Sequence, residues 1–429
     1  MLCRLIWRLI LFFFFPLWIT IWIAKIVIPI YFMVFKFFLS WCWSWWCPMS
    51  ATVLRAAEKK LLSYLKTPYK GRYVDIGSVV GTSDKIWTIA LNTESQKMPL
   101  VLLHGLGAGV GLWCLNLDAF ASQRPVYAID VLGFGRSSRP DFSKDADEVE
   151  KQLVQSVEEW RKEMKLPKMI LLGHSMGGFL AGTYALNYPE RVKHLILADP
   201  WGMPPKPGTD QPRKSKLPWW ARALLVTMQP FNPLWAVRVA GPFGQKLVER
   251  TRPDLVAKFS VAVDGDAKAV SQYIFQCNAQ RPSGESAFHA LNSGLGWAKN
   301  PLLNRIEEFS EDLPITIVYG SRSWMDTTAG QAVLERRPAS SYTDIKTIMG
   351  AGHHVYADKS EVFNDTINAV CQFADECSDT EDNVTNPPEE PRINKKAKQQ
   401  SKSSRARIAS NEPPSSAVDR VDRKKNITS

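Results

Sequence analysis

Acidic residues are absent from the first 57 positions, where Arg4, Arg8, Lys25, Lys36 and Arg55 leave a net charge of +5. Such a stretch suits the surface of an anionic lipid layer. The whole chain carries +11, but the excess sits mainly on its ends, with another +3 on the tail from Ser378 onward. The body is nearly balanced, so no basic groove and no nucleic-acid partner are expected. Also missing is any C-x-x-C pair among the seven cysteines, at positions 3, 42, 47, 114, 277, 371 and 377. That excludes a zinc ribbon and a disulfide framework and points to a reduced, cytosol-facing domain. The run His104-Gly105-Leu106-Gly107-Ala108-Gly109 lacks the last glycine of G-x-G-x-x-G, because the next residue is Val110. Dinucleotide binding is excluded, and no cofactor or metal is expected. The sequons at Asn383 and Asn426 fall in a polar tail and are discounted as chance matches.

Apolar surface is what the leader has instead. Residues 1–47 are dominated by Phe, Trp, Ile and Leu, and the 16 residues between Arg8 and Lys25 carry no charge. A bilayer span takes about 20 apolar residues, and Arg8 or Lys25 can extend this one by snorkelling. A second apolar stretch, Ile26–Phe35, leads to Trp41, Trp43, Trp45 and Trp46, a residue type that favours the membrane interface. Two geometries fit: a single span, or a hairpin bent near Pro29 with the tryptophans among the headgroups. No small-x-small site follows, and the region is too long for a cleaved secretory signal. A membrane or lipid-droplet anchor over 1–47 is therefore expected, followed by a linker helix over 48–67.

A chain of 429 residues holds one large domain or two ordinary ones. From 68 to 376, short aliphatic runs alternate with helical stretches. The strands are expected at Ile86–Leu91, Leu100–Leu103, Val126–Ile129, Met169–Leu172, Leu195–Leu197, Ile315–Tyr319 and Ile345–Ile348. Each ends near Gly, Asp or His, the pattern of parallel strands buried on both faces. Helices are expected at Asp147–Glu163 and Gly178–Asn187. This is an α/β class with a mostly parallel, doubly wound sheet. The alternation breaks between Asp199 and Pro314, where Pro200, Pro204, Pro205 and Pro207 precede a stretch holding Trp219, Trp220, Phe231 and Trp235. An insertion there reads as a helical lid, over about 200–313. Residues 377–429 are Ser-, Pro-, Lys- and Glu-rich and are expected to be a disordered tail.

The chemistry centres on Met169-Ile-Leu-Leu-Gly173-His174-Ser175-Met176-Gly177-Gly178. An aliphatic strand, G-x-S-x-G and a helix of small residues make a nucleophile elbow: the serine occupies a strained turn whose neighbours two residues away must be tiny. Ser175 is the expected nucleophile. A serine needs a base, and the segment after the last strand reads Gly350-Ala-Gly352-His353-His354. His353 is the expected base, with His354 as the alternative. The acid should follow a late strand. Asp326, after Ile315–Tyr319, is preferred, and Asp199, after the preceding strand, is the alternative. Oxyanion donors are expected from the backbone N–H groups of Met176 and Leu106. The pattern His353-x4-Asp358 also matches the H-x4-D motif of glycerolipid acyltransferases, although Asp358 equally suits a helix start.

The runs Pro99-Leu-Val-Leu-Leu-His-Gly105, Arg124-Pro-Val-Tyr-Ala-Ile-Asp130, Leu132-Gly-Phe-Gly-Arg-Ser-Ser-Arg-Pro140, Pro230-Phe-Asn-Pro233, Ala240-Gly-Pro-Phe-Gly244 and Gly350-Ala-Gly-His-His-Val-Tyr-Ala-Asp358 carry a resemblance. From Cys47-Pro48 to about Cys371 the chain resembles the abhydrolase-domain-containing 4/5 subfamily. The resemblance implies an α/β-hydrolase fold and a phospholipid or lysophospholipid substrate. One branch of that subfamily is a lysophospholipase acting on N-acyl phosphatidylethanolamine. The other is a lipid-droplet protein that activates a triacylglycerol lipase and is linked to acylation of lysophosphatidic acid by acyl-CoA. The vertebrate coactivator has asparagine at the elbow. Ser175 here favours intrinsic catalysis, with acyl-CoA a donor substrate rather than a cofactor. The alternative is a non-catalytic scaffold for a triacylglycerol lipase at droplets. Endoplasmic reticulum, lipid droplet and mitochondrion remain open as locations. The long apolar leader departs from the coactivator's shorter Trp-rich N-terminus.

Overall fold

A computed structural model describes residues 19–36, 46–206, 234–294 and 296–385. Contacts divide the chain into a unit ending at Glu376 and a second one from Cys377. Arg4, Arg8, Trp41, Trp43, Trp45, Trp219, Trp220, Phe231 and Asn426 lie outside the described residues.

Helix α1, Ile19–Lys36, is long and apolar enough to cross a membrane, as an anchor or as a signal sequence. Its 18 residues rise about 27 Å, close to the hydrocarbon thickness of about 30 Å. The helix passes Pro29 unbroken, so of the two geometries considered the bend at Pro29 is not found.

Helix α2, Ala51–Leu62, starts where Ser50 Oγ accepts from Val53 N–H. It leads into an eight-stranded sheet ordered β1-β2-β4-β3-β5-β6-β7-β8. The strands are β1 Tyr69–Asp75, β2 Lys85–Leu91, β3 Leu100–Leu103, β4 Val126–Ile129, β5 Met169–His174, β6 Val192–Ala198, β7 Ile315–Gly320 and β8 Thr343–Ile348. β2 runs antiparallel to β1 and β4, and the remaining pairings are parallel. Side chains alternate between two cores. Leu100, Leu102, Ile170, Leu172 and Ile196 face one, while Val101, Leu103, Leu171, Leu195 and Leu197 face the other. Burial on both faces is why these strands read as unbroken aliphatic runs. β1 has no such signal, because it is an edge strand exposed along most of its length.

The flanking helices begin with α3, Leu117–Ala121, and α4, Ala146–Glu163. In α4, Asp145 caps the Glu148 N–H and Val149, Leu153, Val157 and Trp160 form the buried stripe. Helix α5, Met176–Asn187, is buried nearly all round, and its small residues let it approach the sheet closely. Between β6 and β7 lie α6 Trp235–Val239, α7 Gly244–Thr251, α8 Pro253–Ser260, α9 Ala267–Ala279 and α10 Ser283–Leu291. A buried pair fixes this segment: Arg238 Nη1 meets Glu285 Oε2 at 2.6 Å, and Glu285 Oε1 accepts the Leu234 N–H at 2.6 Å. The chain just before α2 is tied to the same helices. Gln276 of α9 accepts from Ser50 N–H and donates to the Pro48 carbonyl, and the Trp46 indole N–H donates to the Val239 carbonyl at 2.8 Å.

Three helices complete the order: α11 Thr328–Arg336, α12 Val355–Asp358 and α13 Ser360–Thr385. A disordered tail is expected from 377, whereas α13 continues to Thr385. Cys377–Thr385 contains neither Pro nor Gly, so nothing local stops the helix.

Candidate active site

Ser175 joins β5 to α5 with φ 54° and ψ −118°, a conformation costing on the order of 1–3 kcal/mol for a non-glycine residue. The glycines on either side permit it. A Cβ on Gly173 would lie 2.1 Å from the Gly177 carbonyl oxygen, and one on Gly177 would lie 2.4 Å from that of Leu103. Hydrogen bonds then hold the strained residue from several sides. Its N–H donates to the Ala198 carbonyl of β6 at 3.1 Å, and its own carbonyl accepts from Gly178, Phe179 and Trp201. The hydroxyl is left at the carboxyl end of the sheet.

There Ser175 Oγ lies 3.0 Å from His353 Nε2. The other ring nitrogen of His353, Nδ1, lies 2.6 Å from Asp199 Oδ2. A carboxylate only accepts, so Nδ1 carries the proton and Nε2 presents its lone pair to the hydroxyl. Asp199 is fully buried and stands just past β6 with φ 46°. Its Oδ1 accepts from Gly320 N–H at 3.3 Å, and its Oδ2 also accepts from Ser323 Oγ.

The structure thus brings Ser175 and His353 together but seats Asp199, not Asp326, behind the imidazole. Asp326 is exposed and serves the start of α11, where its Oδ1 accepts from Thr328 N–H at 3.0 Å and Thr328 Oγ1 at 2.6 Å. The reason is strand order. β6 is the immediate neighbour of β5, so its end is closer to the nucleophile than the loop after β7. The end of β7 and the loop after it hold Asp199 instead, through Gly320 and Ser323. His354 makes no hydrogen bond to Ser175 among the described residues. Burial, then the neighbouring His174 and His353, hold its pKa far below the usual histidine range, so it stays neutral.

Both expected oxyanion donors border the nucleophile. Met176 N–H is the first of α5, unpaired by helix geometry. Leu106 follows Gly105, where a Cβ would come within 3.0 Å of Ser175 Cβ. Neither N–H meets a protein acceptor among the described residues. The loop carrying Leu106 is clamped by residues that the sequence reading did not single out. His104 Nδ1–H donates to the Gly105 carbonyl at 2.8 Å, while its Nε2 accepts from Val131 N–H at 3.1 Å. Desolvation holds this buried ring neutral. Asp130, at the end of β4, accepts from Val110 N–H at 2.8 Å, and Asn278 Nδ2 donates to the Gly107 carbonyl at 2.8 Å. The signal available beforehand was position alone: each of His104 and Asp130 directly follows a strand.

His174 is the other addition. It lies inside G-x-S-x-G, yet its Nε2–H donates to the His353 carbonyl at 2.9 Å. Burial, then the charge of His353, holds its pKa well below the usual range. Trp324 covers the outer face of His353, with ring centroids 5.0 Å apart. Among the described residues no group of three or more His, Cys, Asp or Glu side chains is placed to hold a metal ion.

Residues 98–360 match the model of the α/β-hydrolase fold family. The chain is 48% identical over 328 residues to the Mus musculus 1-acylglycerol-3-phosphate O-acyltransferase ABHD5, covering 76% of this chain and 91% of that protein. It is 46% identical over 327 residues to the Mus musculus (lyso)-N-acylphosphatidylethanolamine lipase, covering 76% and 93%. Among solved structures, a bacterial membrane phospholipase A superposes with a TM-score of 0.53 at 19% identity, covering 84% of this chain and 98% of that one. At that identity the likeness speaks to fold alone.

Proposed function

The chain belongs to the α/β-hydrolase family, and from that premise we propose that it is a lipid serine hydrolase or acyltransferase acting on glycerophospholipids. Ser175 is the nucleophile, His353 the general base and acid, and Asp199 the carboxylate that orients the imidazole. The observation that carries this reading is the line Ser175 Oγ–His353 Nε2 at 3.0 Å and His353 Nδ1–Asp199 Oδ2 at 2.6 Å, set on a strained elbow. The names of its relatives, an acyltransferase and a lipase of lysophospholipids, support the substrate class.

In the first half-reaction Ser175 Oγ attacks an acyl carbonyl while His353 Nε2 takes the hydroxyl proton. The resulting imidazolium is stabilised by Asp199. Negative charge on the former carbonyl oxygen meets the N–H groups of Met176 and Leu106. His353 returns the proton to the departing oxygen, or to the thiolate where acyl-CoA is the donor. An acyl-enzyme remains. In the second half, His353 deprotonates water or the hydroxyl of lysophosphatidic acid, which attacks the acyl-enzyme and frees Ser175. Helix α1 holds the domain against a lipid layer, and the helices between β6 and β7 form a lid over the strand ends.

The test is lipid turnover by full-length protein supplied with mixed phospholipids and lysophosphatidic acid, with and without acyl-CoA. Ser175→Ala should abolish product formation and fluorophosphonate labelling while leaving thermal unfolding unchanged. Undiminished turnover in that variant would remove Ser175 from the reaction, and a wild-type protein with neither turnover nor labelling would leave a lipid-docking scaffold.

A further inference from the structure

Asp358 completes the H-x4-D pattern, yet both ring nitrogens of His353 are already engaged, by Ser175 and Asp199. The Asp358 carboxylate turns elsewhere. Its Oδ2 accepts the Gly352 N–H at 2.8 Å, one residue before the base. Its backbone N–H donates to the His354 carbonyl at 2.9 Å, one residue after it. Asp358 therefore closes the loop around His353 from both sides. The close approach constrains position 352 as well, since a Cβ on Gly352 would lie 3.2 Å from Asp358 Oδ2.

The second carboxylate oxygen leaves the loop altogether. Asp358 Oδ1 lies 2.7 Å from Lys258 Nζ, on helix α8 of the lid. Lys258 also has Asp254 within reach at 3.6 Å, but Asp254 is already held by Arg252 at 3.0 Å. The shorter contact is the one to Asp358. Both side chains are mostly sheltered, so the pair is screened less than a surface ion pair. The remaining supports of the His353 loop come from the body of the domain. Gly350 N–H donates to Ser321 Oγ, Arg322 N–H donates to the Ala351 carbonyl, and His174 Nε2–H donates to that of His353. Asp358 alone among these joins the loop to the lid.

We propose that Asp358 is a positioning residue that links the loop carrying His353 to lid helix α8 through Lys258, rather than a partner of His353 in acyl transfer. The proposal rests on the hydrolase reading of Ser175, His353 and Asp199. Seating α8 completes the strut, so lid position is felt at the backbone of the base. Asn at 358 keeps an acceptor for the Gly352 N–H but gives up the ion pair, whereas Ala gives up both.

The experiment measures kcat and KM of the full-length protein on a short soluble ester and on lysophosphatidic acid with acyl-CoA. Fluorophosphonate labelling of Ser175 and thermal unfolding are followed in parallel. Asp358→Ala should lower kcat about tenfold on both substrates with little change in KM, the cost of orphaning one buried donor. Asp358→Asn and Lys258→Met should each lower kcat about threefold, and the double variant should be no slower than either single one. Lys258→Arg should restore the rate. Should Asp358→Ala unfold, the cycle of Asp358→Asn and Lys258→Met decides alone. Independent, multiplying effects in that cycle overturn the strut. Loss of acyl transfer in Asp358→Ala with ester hydrolysis intact overturns it too, by placing the carboxylate in the transfer chemistry. Wild-type protein that neither labels nor turns over ester instead overturns the hydrolase reading, and this proposal with it.

Discussion

Replacing Asp199 and Asp326 in turn separates the acid behind His353 from an exposed acid in the turn before a helix. Asp199→Asn changes almost no volume and leaves an amide in a fully buried position. If its NH2 faces His353 Nδ1, that nitrogen must accept, and the proton moves to Nε2. The ring then has no lone pair to take the Ser175 proton. With either amide orientation the imidazolium loses its counter-charge. In the chymotrypsin triad the corresponding change lowers kcat by about four orders of magnitude, equivalent to about 5 kcal/mol in the barrier. A similar loss is expected here, because the 2.6 Å contact is as direct. Folding should change little: with the NH2 on the His353 side, Gly320 N–H keeps its oxygen and the Ser323 hydroxyl turns from donor to acceptor. Asp326→Ala removes only the contacts to Thr328. It should cost about 1 kcal/mol of stability, as for the loss of a local turn hydrogen bond, with kcat within about twofold of wild type. The assay is kcat and KM on a short soluble ester between pH 6 and 9, with thermal unfolding of each variant alongside. Retention of more than a tenth of the activity by Asp199→Asn, with collapse of Asp326→Ala, would refute the assignment.

Gly177→Ala should be destabilised by on the order of 3 kcal/mol or more, because its Cβ would lie 2.4 Å from one backbone oxygen and 2.6 Å from another. A melting temperature within a degree of wild type would contradict the close helix–sheet approach. His194 gives an acid-side signature: it is fully buried in β6, its Nε2 lies 2.8 Å from Thr316 Oγ1, and burial lowers its pKa from 6.5 to about 4. The unfolded chain protonates near 6.5 and the folded one only near 4, so this contribution is intact above pH 6.5 and lost as pH falls to 4. It amounts to about 3 kcal/mol. Urea unfolding of His194→Gln at pH 6.5 and pH 4 should show a correspondingly smaller acid loss, and an unchanged pH slope would show that His194 does not titrate as described.

Much of this was legible in the chain. Met169–His174, Gly173, Ser175 and Gly177 announce strand, turn and helix together, because close packing and a strained turn demand particular residues. His353 could be placed because it follows the last strand across a glycine pair. The acid could not. Asp199 and Asp326 each come after a β-run, and only the register of β6 between β5 and β7 decides which carboxylate reaches the imidazole. That register is a property of the sheet, carried by no local motif. β1 was invisible for a related reason: Tyr69–Asp75 is an edge strand that pairs with β2 on one side only and buries too little to leave an apolar pattern. His174 and His104 were visible as letters, but their contacts cross 179 and 27 residues.

The same sheet explains how the site tolerates its own strain. Ser175 and Asp199 are both non-glycine residues at positive φ, and each stands immediately after a strand. The Ser175 N–H is bonded to Ala198 of β6, and the Asp199 N–H to Val318 of β7 at 2.7 Å. Beyond β7, Arg322 N–H holds the Ala351 carbonyl at 2.8 Å, two residues from His353. Nucleophile, acid and base are thus each suspended from the neighbouring structure, stepping outward from β5 to the loop after β8. A strained backbone persists only where its surroundings over-determine it, and here each support is itself fixed by the next strand along. An acid taken from the loop after β7 would break that sequence, because Gly320 at the end of β7 and Ser323 of that loop are already committed to holding Asp199. The strand order therefore selects Asp199 by the same bonds that keep Ser175 on its elbow.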